Sequence, residues 1–283
     1  MRGVTARAFS GRRGSVVAFA VDLDRTLLPP GGTSVRSASE LLATVRKMGL
    51  KVVLVSGRAY AQLTSFAEEL RVVDALVAEN GAVIESPIGG AVKLVGRRTG
   101  GQVRRRLASA RWADAEYGEI VVSVPRRMGP SVDRLLKDLA VDLIPNVDRV
   151  MVLPKGVTKA SGMRFALRAL HLSSRGFAAI GDGENDIDLL HEAELSGAVA
   201  NANPRVRSIA DYACRASFVA GVEEFVKGPL ADYLAGRPPT RNFASRGPHR
   251  PPSTSAGRRG SRRGTGLRPL RVDPELPARR TRG

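Results

Sequence analysis

Residues 16–23 (VVAFAVDL) form an unbroken apolar run, rich in β-branched side chains, that ends in the acids Asp22 and Asp24. A strand with one wet face alternates polar and apolar residues. A continuous run belongs instead to a strand covered on both faces, as in the interior of a parallel sheet. A helical stretch follows at 34–48, with Val35, Ala38, Leu41, Leu42, Val45 and Met48 on one face and Gly49 as its stop. The alternation continues with a strand at 51–55, a helix at 59–70 and a strand at 75–78, then Asn80-Gly81, a hairpin turn signal. Later come a helix at 158–171, a strand at 177–180, a helix at 185–193, a short strand at 198–200 and a helix at 222–234. Strands alternating with amphipathic helices predict an α/β fold with a doubly wound, mostly parallel, Rossmann-like sheet. Right-handed crossovers put the carboxyl ends of its strands on one edge, where ligands bind.

The region 83–152 reads differently, with strand-like 91–95, 119–124 and 149–153 and helical 101–110 and 130–140. This pattern predicts a small α+β module inserted over 83–152 into a core made of 16–82 and 153–235. The ends, 1–15 and 236–283, lack periodic apolar residues and are expected to be disordered.

The net charge of +18 points to nucleic acid until it is located along the chain. Residues 236–283 hold 13 arginines against 2 acids, and 1–15 hold 4 arginines and no acid, so 16–235 carries only +3. The basicity therefore suggests, at most, binding of nucleic acid or another polyanion through the tail. A single cysteine, Cys214, excludes an intrachain disulfide. No run reaches the ~20 apolar residues of a membrane span, so no membrane association is expected and the expected compartment is the cytoplasm.

Acids and small polar residues sit where strands end. Asp22 and Asp24, two apart, project from the same side of a strand end, and such a pair suits division of labour between a nucleophile and a general acid. Ser56-Gly57 at the second strand end offers a hydroxyl and free amides to an anion, though a plain helix cap has the same pattern. Gly181-Asp182-Gly183-Glu184-Asn185-Asp186 places hard oxygen donors after another strand. It lacks the third glycine of a dinucleotide fingerprint and the twelfth-position Glu of a calcium loop. Lys159 opens a helix, where the helix dipole disfavours a cation unless anions lie nearby.

Taken together, VDLDRTLL, VLVSGR, the lysine of GVTKASGMRFAL, and IGDGENDIDLL resemble the haloacid dehalogenase-like phosphatase superfamily. ENGAVI and the position of the insert make the chain similar to the Cof-type branch, whose cap domain lies between the second and third motifs. The resemblance implies a Mg²⁺-dependent phosphatase of small phosphate esters, such as sugar phosphates or phosphoglycolate. It implies Asp22 as nucleophile and Asp24 as general acid and base. It further implies metal ligation by Asp22, Asp24 (through its main chain), Asp182 and Asp186, and phosphate contacts from Thr26, Ser56, Gly57, Lys159 and Asn185. On this view four carboxylates face one lysine, and Asn185 orients the phosphate or supports Lys159. A phosphomutase of the same superfamily is the alternative within this chemistry. Arg25 stands where the family commonly has glycine. The insert is expected to select the substrate, mostly with its cations Lys93, Arg97, Arg98, Arg104, Arg105, Arg106, Arg126 and Arg127 as a solvated face and one or two of them gripping a second anionic group. Trp112 and Tyr117 are expected to pack, and His171, His191 and His249 to have no role.

Overall fold

The structure, a computed structural model, describes residues 16–237 apart from 33–34, 111–113, 147 and 174–175. The expectations for 1–15, for nearly all of the 236–283 tail, and for Trp112 and His249 lie outside the described residues. In chain order the elements begin β1 (Ala18–Asp22), α1 (Arg36–Lys47), β2 (Lys51–Val55), α2 (Tyr60–Leu70), β3 (Ala75–Ala78), β4 (Val83–Glu85), β5 (Val92–Leu94) and α3 (Arg97–Ser109). They continue β6 (Glu116–Tyr117), β7 (Val122–Pro125), α4 (Gly129–Leu136), β8 (Val141–Asn146), β9 (Arg149–Pro154) and α5 (Lys159–Ala169). The last are β10 (Phe177–Gly181), α6 (Ile187–Glu192), β11 (Leu195–Ala198), α7 (Pro204–Ile209), β12 (Tyr212–Ala213), α8 (Phe218–Phe225) and α9 (Ala231–Leu234).

Eight strands make one sheet in the order β12-β11-β10-β1-β2-β3-β4-β5. The six from β12 to β3 run parallel, and β4 and β5 are antiparallel additions. Every residue of β1, β3 and β10 is buried, which requires helices over both faces. Helix α1 turns Ala38, Leu41, Leu42 and Val45 into the core and ends before Gly49, whose φ of +85° suits only a residue without Cβ. Helix α5 starts at a capping box in which Thr158 and Ser161 each accept the other's backbone N–H. The doubly wound, mostly parallel α/β architecture is as expected.

The second sheet, β6-β7-β9-β8, is antiparallel and carries α3 and α4. It has a core of its own, built from Val103, Leu107, Val122, Val124, Val132, Leu136, Val150 and Val152. Strand β9 shows how the two cores meet. Its Val150 and Val152 enter the smaller one, while Met151 and Leu153 enter the larger. Because both faces are covered, β9 reads as an apolar run rather than an alternation.

The expected start of the insert at 83 needs correction. β4 pairs with β3 across the Asn80-Gly81 turn and β5 pairs with β4, so both extend the large sheet, and the insert's own elements start with α3. β8 was not foreseen; its Pro145 is tolerated because β8 is an edge strand. The single helix expected at 222–234 is α8, a π-helical segment Val226–Leu230 containing Pro229, and α9. Pro229 has no N–H to continue the ladder, and the backbone widens around it. Cys214 is fully buried, and burial pushes its thiol up to about 12. No described helix is long and apolar enough to cross a membrane.

Candidate active site

The parallel strands deliver their following loops to one edge. β1 leads into 22–26, β2 into 56–58 and β10 into 182–186, and Lys159 arrives on the first turn of α5. Gly81 makes that approach possible: at φ +98°, a Cβ there would lie 2.1 Å from the Thr158 carbonyl oxygen. The loops form the floor of a cleft of about 1190 Å³, with Asp22, Asp24, Ser56, Gly57, Asp182 and Asn185 on its surface. The opposite wall comes from the insert and includes Tyr117, Ser123, Arg126, Arg149 and Met151. Lys159, Asp186 and Thr26 lie in the floor, each at most 1% exposed.

The floor is organised around one ammonium. Lys159 Nζ donates to Asp22 Oδ1 at 2.6 Å and to Asp186 Oδ1 at 2.5 Å. The other Asp186 oxygen accepts the backbone N–H of Asp182 (3.1 Å) and Gly183 (2.9 Å). Burial holds the Asp22 carboxyl well above the usual carboxylate range; Lys159 opposes this, and the neighbouring Asp186 and Asp182 reinforce it. Burial also works against the charge on Lys159, but Asp186 and Asp22 outweigh it and raise that pKa. Asp182 is pushed up to about 6 by burial and by Asp186, against the pull of Lys159 and Arg25.

Asp22, Asp182 and Asp186 each offer an oxygen within 4.8 Å of the others. Their three carboxylates face Lys159 and, at Asp182, Arg25, so the group keeps a net negative charge. Hard oxygen donors with a net negative charge fit a divalent cation. The Asp24 carboxylate is not part of this group.

Asp24 instead has a partner that the sequence reading overlooked. Arg58 reaches it with Nη2 at 2.6 Å from Oδ1 and Nε at 2.8 Å from Oδ2, a forked, charge-assisted contact. Its guanidinium also lies over the Phe66 ring, 4.6 Å from the centroid. The signal was present in Ser56-Gly57-Arg58, where only the first two residues were given a task. With Arg58 and Arg25 included, four carboxylates face three cations, so the expected shortage of positive charge is smaller than a count of Lys159 alone implies.

Arg25 has φ +62°, the left-handed region that favours glycine. Its strained backbone is held by an N–H bond to the Leu28 carbonyl (2.7 Å) and by Asn201 Nδ2, which donates to the Arg25 carbonyl (2.7 Å). Its side chain pairs with Asp182 through Nε at 3.1 Å. The Thr26 hydroxyl donates to Asp182 Oδ1 (3.4 Å), and the Ser56 hydroxyl accepts the Arg58 N–H (3.2 Å). Asn185 donates to Asn80 Oδ1 at 3.0 Å, so its observed partner is Asn80 rather than Lys159.

Among the eight cations assigned to the insert, four have the following partners. Arg106 pairs with Asp138 and Arg127 with Asp114, while Arg104 lies over Tyr117 and donates to the Gly118 carbonyl. Lys93 belongs to β5 of the large sheet and sits over Phe165. Of that set, Arg126 lines the cleft, joined by Arg149, which the sequence reading did not single out. Tyr117, expected to pack, is 39% exposed and also lines the cleft.

Comparison with known proteins places the chain in a family. The family model for haloacid dehalogenase-like hydrolases matches residues 19–92 and 146–226, leaving out the stretch that holds most of the insert. The phosphoglycolate phosphatase of Methanothrix thermoacetophila is 31% identical over 225 residues, covering 75% of this chain and 96% of that protein. That of Archaeoglobus fulgidus is 30% identical over 199 residues, covering 69% and 88%. Among solved structures, BT1666 from Bacteroides thetaiotaomicron, a phosphatase of the haloalkanoate enzyme superfamily, superposes with a TM-score of 0.63 at 20% identity, covering 78% of this chain and 98% of that one. The chain belongs to the haloacid dehalogenase-like hydrolases.

Proposed function

We propose that the protein is a Mg²⁺-dependent phosphatase of small phosphorylated metabolites, with 2-phosphoglycolate as the first candidate and sugar phosphates next, acting in the cytoplasm. The observation that carries this reading is the placement of Asp22 at the cleft floor, at the end of a buried strand and against Lys159. The Asp22 carboxylate attacks phosphorus in line and displaces the ester oxygen, which takes a proton from Asp24, giving an aspartyl-phosphate and the free alcohol. Asp24 then accepts a proton from water as that water attacks the same phosphorus, returning Asp22 and inorganic phosphate. Thr26, Ser56, the Gly57 amide, Lys159 and Asn185 surround the transferring group. Asp22, Asp182, Asp186 and the Asp24 carbonyl would hold Mg²⁺, which would supply Lewis-acid neutralisation of the phosphoryl charge. On the facing wall Arg126 and Arg149 suit a second anionic group of the substrate. The substrate names come from the relatives, and the lone buried thiol fits a reducing compartment.

The test is a panel of phosphate monoesters assayed for inorganic phosphate with Mg²⁺ and with EDTA. Release that needs Mg²⁺ and is fastest with a small anionic ester is expected. Phosphate release undiminished by EDTA would refute the metal assignment, and transfer to a sugar hydroxyl without free phosphate would indicate the mutase instead.

A further inference from the structure

Glu79 and Asn80 follow β3 at the same sheet edge as the acids; the sequence reading took this stretch as a turn and as part of the ENGAVI resemblance, and gave neither residue a task. Both are non-glycine residues in left-handed backbone, with φ of +51° and +53°. Both are buried, at 1% and 2% exposure. Two consecutive residues held in this region are costly and persist only where the surroundings enforce them.

Their main chain is tied to the Asp24 clamp. The Glu79 N–H donates to the Arg58 carbonyl and the Asn80 N–H to the Ser56 carbonyl, both at 3.0 Å. Their side chains are tied to the insert. The Glu79 carboxylate accepts the backbone N–H of Glu119 (2.7 Å), Ile120 (2.9 Å) and Val121 (2.9 Å), together with that of Tyr60 at the start of α2 (3.3 Å). Gly118 precedes this segment, and a Cβ on it would lie 2.5 Å from the Glu79 carboxyl. Asn80 donates to Met151 Sδ on β9 at 2.9 Å and accepts from Asn185 at 3.0 Å.

We propose that Glu79 and Asn80 are positioning residues that couple the placement of the insert to the Ser56–Arg58 loop and to Asn185. The proposal rests on the phosphatase reading for what the coupling serves. A link of purely structural value needs only one end in the core. Here the same two residues hold the substrate-facing stretch beside Tyr117 with their side chains and the clamp on Asp24 with their backbone. Displacing one displaces the other, so the insert and the acid-base group are set together.

The experiment uses the full chain and two variants, Glu79→Gln and Asn80→Gly. Gln has one acceptor oxygen and presents an NH₂ to a ring of donors, whereas glycine at position 80 removes the backbone cost along with both side-chain contacts, so this variant stays folded. Amide exchange is measured at 119–121 and in β1 and β2, and kcat and KM are measured with 2-phosphoglycolate and with p-nitrophenyl phosphate, whose good leaving group demands less of the insert. In Glu79→Gln, exchange at 119–121 is expected to rise at least tenfold with β1 and β2 unchanged. In both variants, kcat/KM for 2-phosphoglycolate is expected to fall at least tenfold, and that for p-nitrophenyl phosphate less than threefold. Unchanged exchange at 119–121, or equal losses on the two esters, would overturn the proposal. A wild-type chain that hydrolyses neither ester would refute the phosphatase reading while leaving the exchange result to judge the link itself.

Discussion

The core and the insert, which meet at the cleft, handle charge in opposite ways. On the core side, Lys159, Asp22 and Asp186 have side chains at most 5% exposed and pair at 2.5–2.6 Å. On the insert side, Arg127 and Asp114 pair with 72% and 55% of their side chains exposed. Breaking a buried pair by removing one partner costs about 3–5 kcal/mol, whereas an exposed pair contributes about 0–1 kcal/mol. The floor therefore cannot lose a single member without penalty, and chemistry that needs fixed charges is placed there. The exposed face of the insert can change such residues at little cost to the fold.

This contrast can be broken at several points. The largest effect is expected from Asp22→Asn, which keeps the shape and a contact to Lys159 but removes the attacking carboxylate. Turnover should fall about 10⁴-fold or more, and the fold should stay intact at a lower thermal midpoint, because the buried Lys159 charge keeps only Asp186 as its anionic partner. Residual turnover within tenfold of the wild type would remove Asp22 from the reaction.

An intermediate effect concerns protons and the dication. The Asp182 carboxyl sits at about 6 instead of its ordinary 3.8. A raised folded-state value stabilises the metal-free protein at pH below the ordinary value, and that contribution is lost as pH rises through 6. Binding of Mg²⁺ must expel this proton, so affinity should be about tenfold higher at pH 7 than at pH 5. Calorimetric titration at the two pH values checks this, and equal affinities would disconnect Asp182 from the ion. The smallest effect is expected from Arg127→Ala on the insert's exposed face, less than about 1 kcal/mol in denaturant unfolding with unchanged kcat/KM. A larger loss would show that the insert also carries obligatory charge pairs.

What was legible in the sequence follows the same division. Strands buried on both faces and helices with one apolar face leave strong periodic signals, and acids at strand ends stand out against them. Asp22, Asp24, Ser56, Asp182 and Lys159 could therefore be gathered before any coordinates. Asn201 left no such signal, and Arg58, although it stands in Ser56-Gly57-Arg58, was given no task, because an arginine or asparagine in a loop has its partner chosen by tertiary structure. Glu79 and Asn80 were hidden by their own turn chemistry: Asn80-Gly81 reads as a hairpin, which it is, and this obscures its second position at the carboxyl edge of β3. β5 was assigned to the insert because pairing through an antiparallel β4 cannot be seen from local pattern. Arg25 was noticed as unusual, but its positive φ is visible only in the structure.

The sealed position of Cys214 has a consequence for redox chemistry. Only the thiolate reacts readily with peroxides and disulfides, and a thiol at about 12 is ionised in roughly one molecule in 10⁵ at neutral pH. The chain's sole sulfhydryl is thus inert to oxidants and to alkylating labels in the folded state. A cysteine introduced on the insert would be the only group to take a fluorophore, and its signal would follow that wall alone.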